Sequence, residues 1–341
     1  MTLPKPSSIS VVVPVHDEQE SIATLVQSIA AAFADPRCIH RERELILVDD
    51  GSTDATFARA RAAASELPFE VKVISLRRNH GQTAAMQIGF QQAGGDLVVS
   101  LDGDLQNDPA DIPMMVEHLE QNDLDLLCGR RSDRQDALLS RKVPSWIANR
   151  LIGRVTGIRI SDYGCSLKVY RGDLIRQLHL TGEMHRFIPA WLSTITPTWR
   201  IGEVDVRHHP RKFGRTHYGL SRTLRVFLDL MAVVFFIRFR NRPGHFFGSI
   251  GLAMMAVGMA MLSIVLIAKF GIGEDIGDRP MLMIGAFAFF TGIHMVSVGI
   301  LAELITRIYS QTPQAVQPSV AKEYGNQSDQ ADSVTLRGKA A

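Results

Sequence analysis

Two stretches of this sequence contain no Asp, Glu, Lys or Arg: residues 243–268 and residues 280–302. At 26 and 23 residues each exceeds the roughly 20 that a helix needs to cross a bilayer. Only a short polar segment, KFGIGEDIGDR, separates them. A buried core helix explains one such stretch; two in succession predict a membrane hairpin over 243–305. Arg222, Arg225, Arg238, Arg240 and Arg242 precede the first span, whereas the connecting loop holds Lys269 and Arg279 among Glu274, Asp275 and Asp278. The excess of basic residues places the first 240 residues and the tail after Ile305 in the cytoplasm. MTLPKPSSIS carries no apolar run of the kind a signal peptide needs. The expectation is a multi-pass protein of the inner (plasma) membrane with both termini cytoplasmic.

Three further features belong to this part of the chain. Arg222, Arg225 and Asp229 fall at i, i+3 and i+7 of an otherwise apolar segment, predicting an interfacial helix over 221–242. Gly244, Gly251 and Gly258 recur every seven residues, as do Gly285, Gly292 and Gly299. Small residues on one helical face let backbones pack closely, either within the hairpin or between protomers of a dimer or tetramer. The tail, 306–341, is polar and is expected to be disordered.

Residues 1–220 read as alternating strands and helices. ISVVVPV, ELILV, VKVIS, DLVVSL and DLLCG are short apolar runs suited to buried strands. ESIATLVQSIAAAF, DATFARARAAA, QTAAMQIGFQQA and PADIPMMVEHLEQ lie between them with helical character. Ile22, Leu25, Val26, Ile29, Ala30 and Phe33 mark the apolar face of the first helix. Such alternation predicts an α/β fold with a mostly parallel sheet covered on both faces. The net charge of +2, from 37 basic and 35 acidic residues, gives no case for nucleic acid as a partner. Cys38, Cys128 and Cys165 lie far apart without metal or disulfide spacing.

In parallel sheets ligands bind beyond the carboxyl ends of the strands. Three of those ends carry acidic clusters here: PVHDE at 14–18, VDDGSTD at 48–54 and LDGDLQ at 101–106. A lone D-x-D is usually a turn. Three clusters on one rim repel one another unless a cation sits among them. Carboxylate and amide oxygens favour Mg2+ or Mn2+, an ion suited to a diphosphate. Neither GxxxxGK[ST] nor a GxGxxG after the first strand is present, so a nucleotide would be held in another way.

VVVPVHDEQESI, ELILVDDGSTDAT, RRNHGQTAAMQIGF and DLVVSLDGDLQNDP together resemble glycosyltransferase family 2, with its Rossmann-like GT-A fold. SDYGCSLKVYR, MHRFIPAW, HHPRKFGRTHYG and NRPGHFFGSIGL narrow the resemblance to the polyprenyl-phosphate glycosyltransferases, the dolichyl-phosphate mannose synthase-like group. It spans residues 8 to 310.

The resemblance implies that Pro14, His16, Glu18, Asp50, Asn79 and Gly81 line the nucleotide pocket, with Asp50 accepting from the base. It implies a metal-dependent enzyme, with Asp102 and Asp104 as the D-x-D pair and Asp104 and Gln106 on the metal. Arg130, Arg141 and Ser145 are expected to hold the acceptor phosphate, and Arg211 and Arg215 either to close over the donor phosphates or to bind anionic lipid headgroups. Lys168 is expected near the site. The donor would be a nucleotide-diphosphate sugar, UDP-linked before GDP-linked. The acceptor would be a polyprenyl phosphate, undecaprenyl phosphate in a bacterial membrane, and transfer would invert the anomeric centre. A lipid phosphate is largely a dianion at neutral pH, so positioning rather than a strong base should dominate. The competing readings are transfer to another membrane lipid such as diacylglycerol, and a non-catalytic scaffold or flippase subunit. No QxxRW motif of the processive synthases is present, which argues against a polymerase.

Overall fold

The computed structural model describes residues 7–131, most of 153–210, isolated positions between 231 and 239, and residues 242–273, 280–311 and 320–325. The chain divides into two units, one holding residues up to 234 and from 317 onward, the other residues 235–316.

The first unit is built on an eight-stranded sheet in the order β7-β5-β6-β4-β1-β2-β3-β8. Its centre follows the expected alternation: β1 (Ser8–Val15), α1 (Ile22–Phe33), β2 (Glu42–Asp49), α2 (Thr56–Ala64), β3 (Glu70–Leu76), α3 (Gln82–Gln92) and β4 (Leu97–Ser100). β1 pairs in parallel with both β2 and β4, and β2 with β3. The β-branched run of β1 is buried from Ile9 to Val15, as a central strand covered on both faces must be. α1 buries Ile22, Leu25, Val26, Ile29, Ala32 and Phe33 against it, and Phe33 meets Phe69 edge to face at 5.0 Å. α3 lies so close to the other face that a Cβ on Gly89 would collide with the Val12 side chain. The chain runs outward from β1 through β2 to β3, then returns to the opposite side of β1 as β4. That reversal opens a crevice at the carboxyl ends of β1 and β4.

Beyond β4 the sheet departs from a purely parallel arrangement. α4 (Ile112–Gln121) leads to β5 (Leu126–Arg131), but β5 does not pair with β4. β6 (Lys168–Arg171) lies between them, antiparallel to both, and β7 (Ile201–Val206) pairs in parallel with β5. β6 is four residues long with a cation at each end, so its sequence resembles a polar turn. It is nonetheless buried, because the Lys168 ammonium donates to the Cys165 carbonyl and the Arg171 guanidinium to the Leu124 carbonyl at 3.2 Å.

The tail requires a correction. Residues 320–325, expected to lack order, form β8 (Val320–Gly325), antiparallel to β3 at the sheet edge. Tyr324 packs against the core, with the Arg61 guanidinium 5.1 Å over its ring.

The second unit is a hairpin of two helices, Pro243–Ile267 and Pro280–Gln311, both long and apolar enough to cross a membrane. Leu252, Val257, Phe287 and Phe290 are exposed on it, a surface suited to lipid rather than water. The two glycine series meet within the hairpin. A Cβ on Gly251 would lie 2.6 Å from the Gly292 carbonyl, and one on Gly258 2.6 Å from that of Gly285. Gly244 faces Gly299 in the same antiparallel register. Glu303, the first charge after the second apolar stretch, accepts from the Gly244 amide at 3.3 Å. An anion at the amino end of the first helix opposes the partial positive charge there. The second helix extends to Gln311, past the expected boundary at 305. The interfacial helix expected over 221–242 lies mostly outside the described residues.

Candidate active site

The crevice between β1 and β4 is a cleft of about 290 Å³ lined by Pro14, Val15, His16, Glu18, Asp50, Asn79, Gly81, Gln82, Asp102, Gly103 and Asp104. Eight of these are among the residues the sequence singled out. Val15, Gln82 and Gly103 are not. Gly103 is required where the two strand ends converge, since a Cβ there would lie 2.9 Å from Val15 Cγ1. Gln82 opens α3 inside the quoted stretch RRNHGQTAAMQIGF, where no charge drew attention to it.

One wall of the cleft comes from three interlocked loops. Asp17, with φ of 52°, donates its amide to Ser52 Oγ at 2.9 Å and accepts from the Thr53 amide at 2.8 Å. The Glu18 amide donates to Thr56 Oγ1 at 2.8 Å, and Ser21 Oγ donates to the Glu18 carboxylate at 2.7 Å. Gly51, at φ of 65°, lets this loop touch the Arg78–Asn79 backbone, where a side chain would collide. Asn79 Nδ2 lies 3.0 Å from His16 Nε2, which brings the two predicted pocket residues into contact.

The acidic pair after β2 mainly fixes loops. Asp49 accepts from Ser52 and from Ser75 Oγ, the latter at 2.8 Å. Asp50, expected to meet the base, is 3% exposed and accepts the amides of His80 at 2.7 Å and Gly81 at 2.8 Å. Its carboxylate thus orders the His80–Gly81 backbone beside the cleft that Asp50 itself lines.

Asp102 and Asp104 form the opposite wall. Asp102 Oδ1 accepts from Gln82 Nε2 at 2.7 Å. Burial, and then repulsion from Asp104, push the Asp102 carboxyl up to about 6, while Ser166, Lys168 and Arg131 pull it back. Asp104 Oδ1 accepts from the Gln106 amide at 3.1 Å. Leu105 between them holds φ of 59°, a left-handed conformation costly for leucine and sustained here by its packing on the core. The loop is pinned further at Gln106, whose carbonyl accepts from the His209 amide at 2.7 Å, and at Asn107, which donates to Ser166 Oγ at 2.7 Å.

Hard oxygen donors that repel one another suit a divalent cation of the Mg2+ or Mn2+ type. Asp102 and Asp104 line the cleft and Gln106 follows on the same loop, so the donor set fits. Among the described residues no group of three or more His, Cys, Asp and Glu gathers as a self-sufficient metal cage. A two-carboxylate site completed by ligand phosphates is the arrangement Mg2+ commonly takes.

Among the described residues, Lys168 and Arg130 do not line the cleft. Lys168 lies buried in β6, within electrostatic reach of Asp102. Arg130 projects from the end of β5 and holds Asp205 bidentately at 2.6 and 2.8 Å. Arg141, Ser145, Arg211 and Arg215 lie outside the described residues. Cys165 is buried and its thiol is raised by that burial, as befits a packing residue.

The model of the family described as "Glycosyl transferase family 2" matches residues 10–178. The chain is 51% identical over 320 residues, 94% of both proteins, to a dodecaprenyl-phosphate galacturonate synthase from Rhizobium johnstonii. It is 33% identical over 327 residues, 95% of this chain and 96% of the other, to an undecaprenyl-phosphate 4-deoxy-4-formamido-L-arabinose transferase from Yersinia pestis. Among solved structures, glucosyl-3-phosphoglycerate synthase from Mycobacterium tuberculosis with Mn2+ and UDP-glucose superposes with a TM-score of 0.51 at 20% identity, over 68% of this chain and 79% of that one. That likeness establishes the fold of the first unit's sheet and its covering helices.

Proposed function

The chain belongs to glycosyl transferase family 2, and we propose that it moves one sugar from a nucleoside diphosphate to a polyprenyl phosphate in the membrane. The observation that carries this reading is the cleft at the β1–β4 crevice, with Asp102 and Asp104 on one wall and the Pro14–Glu18 and Asn79–Gln82 loops on the other. The relatives at 51% and 33% identity support the acceptor class, since both are named for sugar transfer involving a polyprenyl phosphate. The more similar of the two makes a galacturonic acid the first sugar to test.

In this reading the nucleoside lies along the Pro14–Glu18 and Asn79–Gly81 loops, and its diphosphate turns toward Asp102 and Asp104. Mg2+ or Mn2+ bound by Asp102, Asp104 and Gln106 would supply positive charge opposite the leaving diphosphate. The glycosidic C1–O bond breaks with its electron pair leaving on the nucleoside diphosphate. An oxygen of the lipid phosphate forms the new bond from the opposite face, inverting the anomeric centre. That oxygen is already ionised, so the chain need only place it, and no residue has to take up its proton. Arg141 and Ser145 are assigned to the acceptor phosphate; Arg130 would have to exchange Asp205 for it. Arg211 and Arg215 are assigned to the donor phosphates. The hairpin would anchor the unit on the cytoplasmic face as a dimer or tetramer, where the lipid phosphate is presented.

The test is transfer by the purified full chain in detergent. Undecaprenyl phosphate, Mg2+ or Mn2+, and a panel of UDP- and GDP-sugars are supplied, with Asp104→Ala alongside. Metal-dependent formation of one lipid-phosphate sugar, lowered at least about a hundredfold in the variant, is expected. Equal product from Asp104→Ala would refute the assignment of the cleft.

A further inference from the structure

Gln82 joins the two sides of the cleft wall. It occupies the first turn of α3, preceded by Gly81, and its side chain crosses to Asp102 Oδ1 at 2.7 Å. Asp102 as a carboxylate can only accept, so the amide nitrogen must face it. The helix end that carries Gln82 is itself fixed from two directions. Asp50 accepts the amides of His80 and Gly81 at 2.7 and 2.8 Å. Thr83 Oγ1 lies 2.7 Å from Nδ1 of His185, a residue of the segment after β6. Gln82 therefore has little freedom of position, and the hydrogen bond it makes, together with one from the Ser166 side chain, holds Asp102 in one orientation.

The chemistry of the side chain matters as much as its place. A lysine reaching the same oxygen would pair with the carboxylate and spend the negative charge that a cation needs. A glutamate would add a third negative charge to the wall. An amide donates a hydrogen bond while carrying no net charge, so it orients Asp102 and leaves that charge available. Groups that hold a metal ligand in orientation commonly contribute as much to affinity as a weak ligand does.

We propose that Gln82 is a positioning residue: its neutral amide locks Asp102 into the rotamer that presents a carboxylate oxygen to the metal–diphosphate site, without competing for the metal. The proposal rests on the metal-dependent reading of the cleft given above.

It is tested with Gln82→Met, which keeps the length and loses the donor, and Gln82→Lys, which keeps a donor but adds charge. Mn2+ binding to the full-length protein in detergent is followed by the electron paramagnetic resonance signal of free Mn2+, with UDP present and no acceptor, so that nothing turns over. Both variants are expected to bind Mn2+ about tenfold more weakly than wild type. In the transfer assay both should raise the metal concentration for half-maximal rate by a similar factor, with kcat at saturating metal within about threefold of wild type. Their thermal midpoints should match wild type, which a merely structural residue would not allow. Wild-type Mn2+ affinity in either variant would overturn the proposal: in Gln82→Met it would mean that the hydrogen bond is idle, in Gln82→Lys that neutrality is irrelevant. A wild-type protein that takes up no Mn2+ beside UDP would overturn the metal-dependent reading as well, which distinguishes the two failures.

Discussion

At the scale of single residues, the acidic rim performs two different jobs. Asp50, Asp102 and Asp104 line the cleft, and Asp49 and Asp50 also bind Ser52, Ser75 and the amides of His80 and Gly81. Two amides use only part of a carboxylate's accepting capacity, so ordering a loop is an additional job for Asp50, one that the sequence VDDGSTD does not reveal. Another buried group gives a pH prediction. His185 lies 2.7 Å from Thr83, and burial, then Arg186 and Lys168, push its imidazole down to about 3. An unfolded histidine titrates near 6.5. Between those values the unfolded chain holds the extra proton, so stability must fall as pH falls through 6.5 and continue to fall toward 3. The slope from this group is at most about 1.4 kcal/mol per pH unit. Replacing His185 by Gln, which can still bond Thr83, should flatten the dependence of the thermal midpoint between pH 6.5 and 4. An unchanged slope in His185→Gln would show that other groups govern acid sensitivity.

At the scale of elements, what the sequence disclosed depended on how continuous each apolar run is. β1 to β4 and their helices were legible because runs such as ISVVVPV are buried end to end, and the cleft they form was legible with them. β6 was not, since its two cations are buried by donating to backbone carbonyls, Lys168 to that of nearby Cys165 and Arg171 to that of distant Leu124, which no apolar pattern announces. Gln82 was missed for a related reason, because its partner Asp102 is twenty residues away on a different strand end. The glycine periodicity of the spans was visible, but its location, within the hairpin or between protomers, needed the structure. That location makes a direct prediction. Leucine at Gly251 must push aside the Gly292 carbonyl, which a Cβ would approach to 2.6 Å. Gly248 has nothing within 4 Å of a Cβ and serves as the control. Gly251→Leu should destabilise the hairpin by about 1–3 kcal/mol or more, seen as a lower unfolding temperature in detergent. Gly248→Leu should leave that temperature within about a degree of wild type. Equal effects from the two would remove the glycine faces as the reason the helices pack closely.

At the scale of the whole molecule, the path of the chain matters more than its local pattern. The chain leaves the sheet unit once, forms the hairpin, and returns to add β8 as the last strand. The polar composition of the tail gave no sign of this, because an edge strand needs few apolar residues when its partner supplies the core. Here one aromatic residue anchors it: Tyr324 packs on the core beneath the Arg61 guanidinium, while five register pairs run from Lys72–Gly325 to Leu76–Val320. Without β8, the outer edge of β3 would present unpaired amides and carbonyls along a run of buried valine and isoleucine, a template for pairing with another copy. Removing residues 317–341 should therefore have two effects: a lower unfolding temperature for the sheet unit, and association that grows with protein concentration. Tyr324→Ala should show the first effect alone, at about 1 kcal/mol, because the backbone pairing survives the loss of the ring. Calorimetry and light scattering on the two variants separate these contributions. If the truncated chain melts like the full one and stays at the same assembly size, β8 neither stabilises the sheet nor guards its edge, and the return of the chain would need another reason.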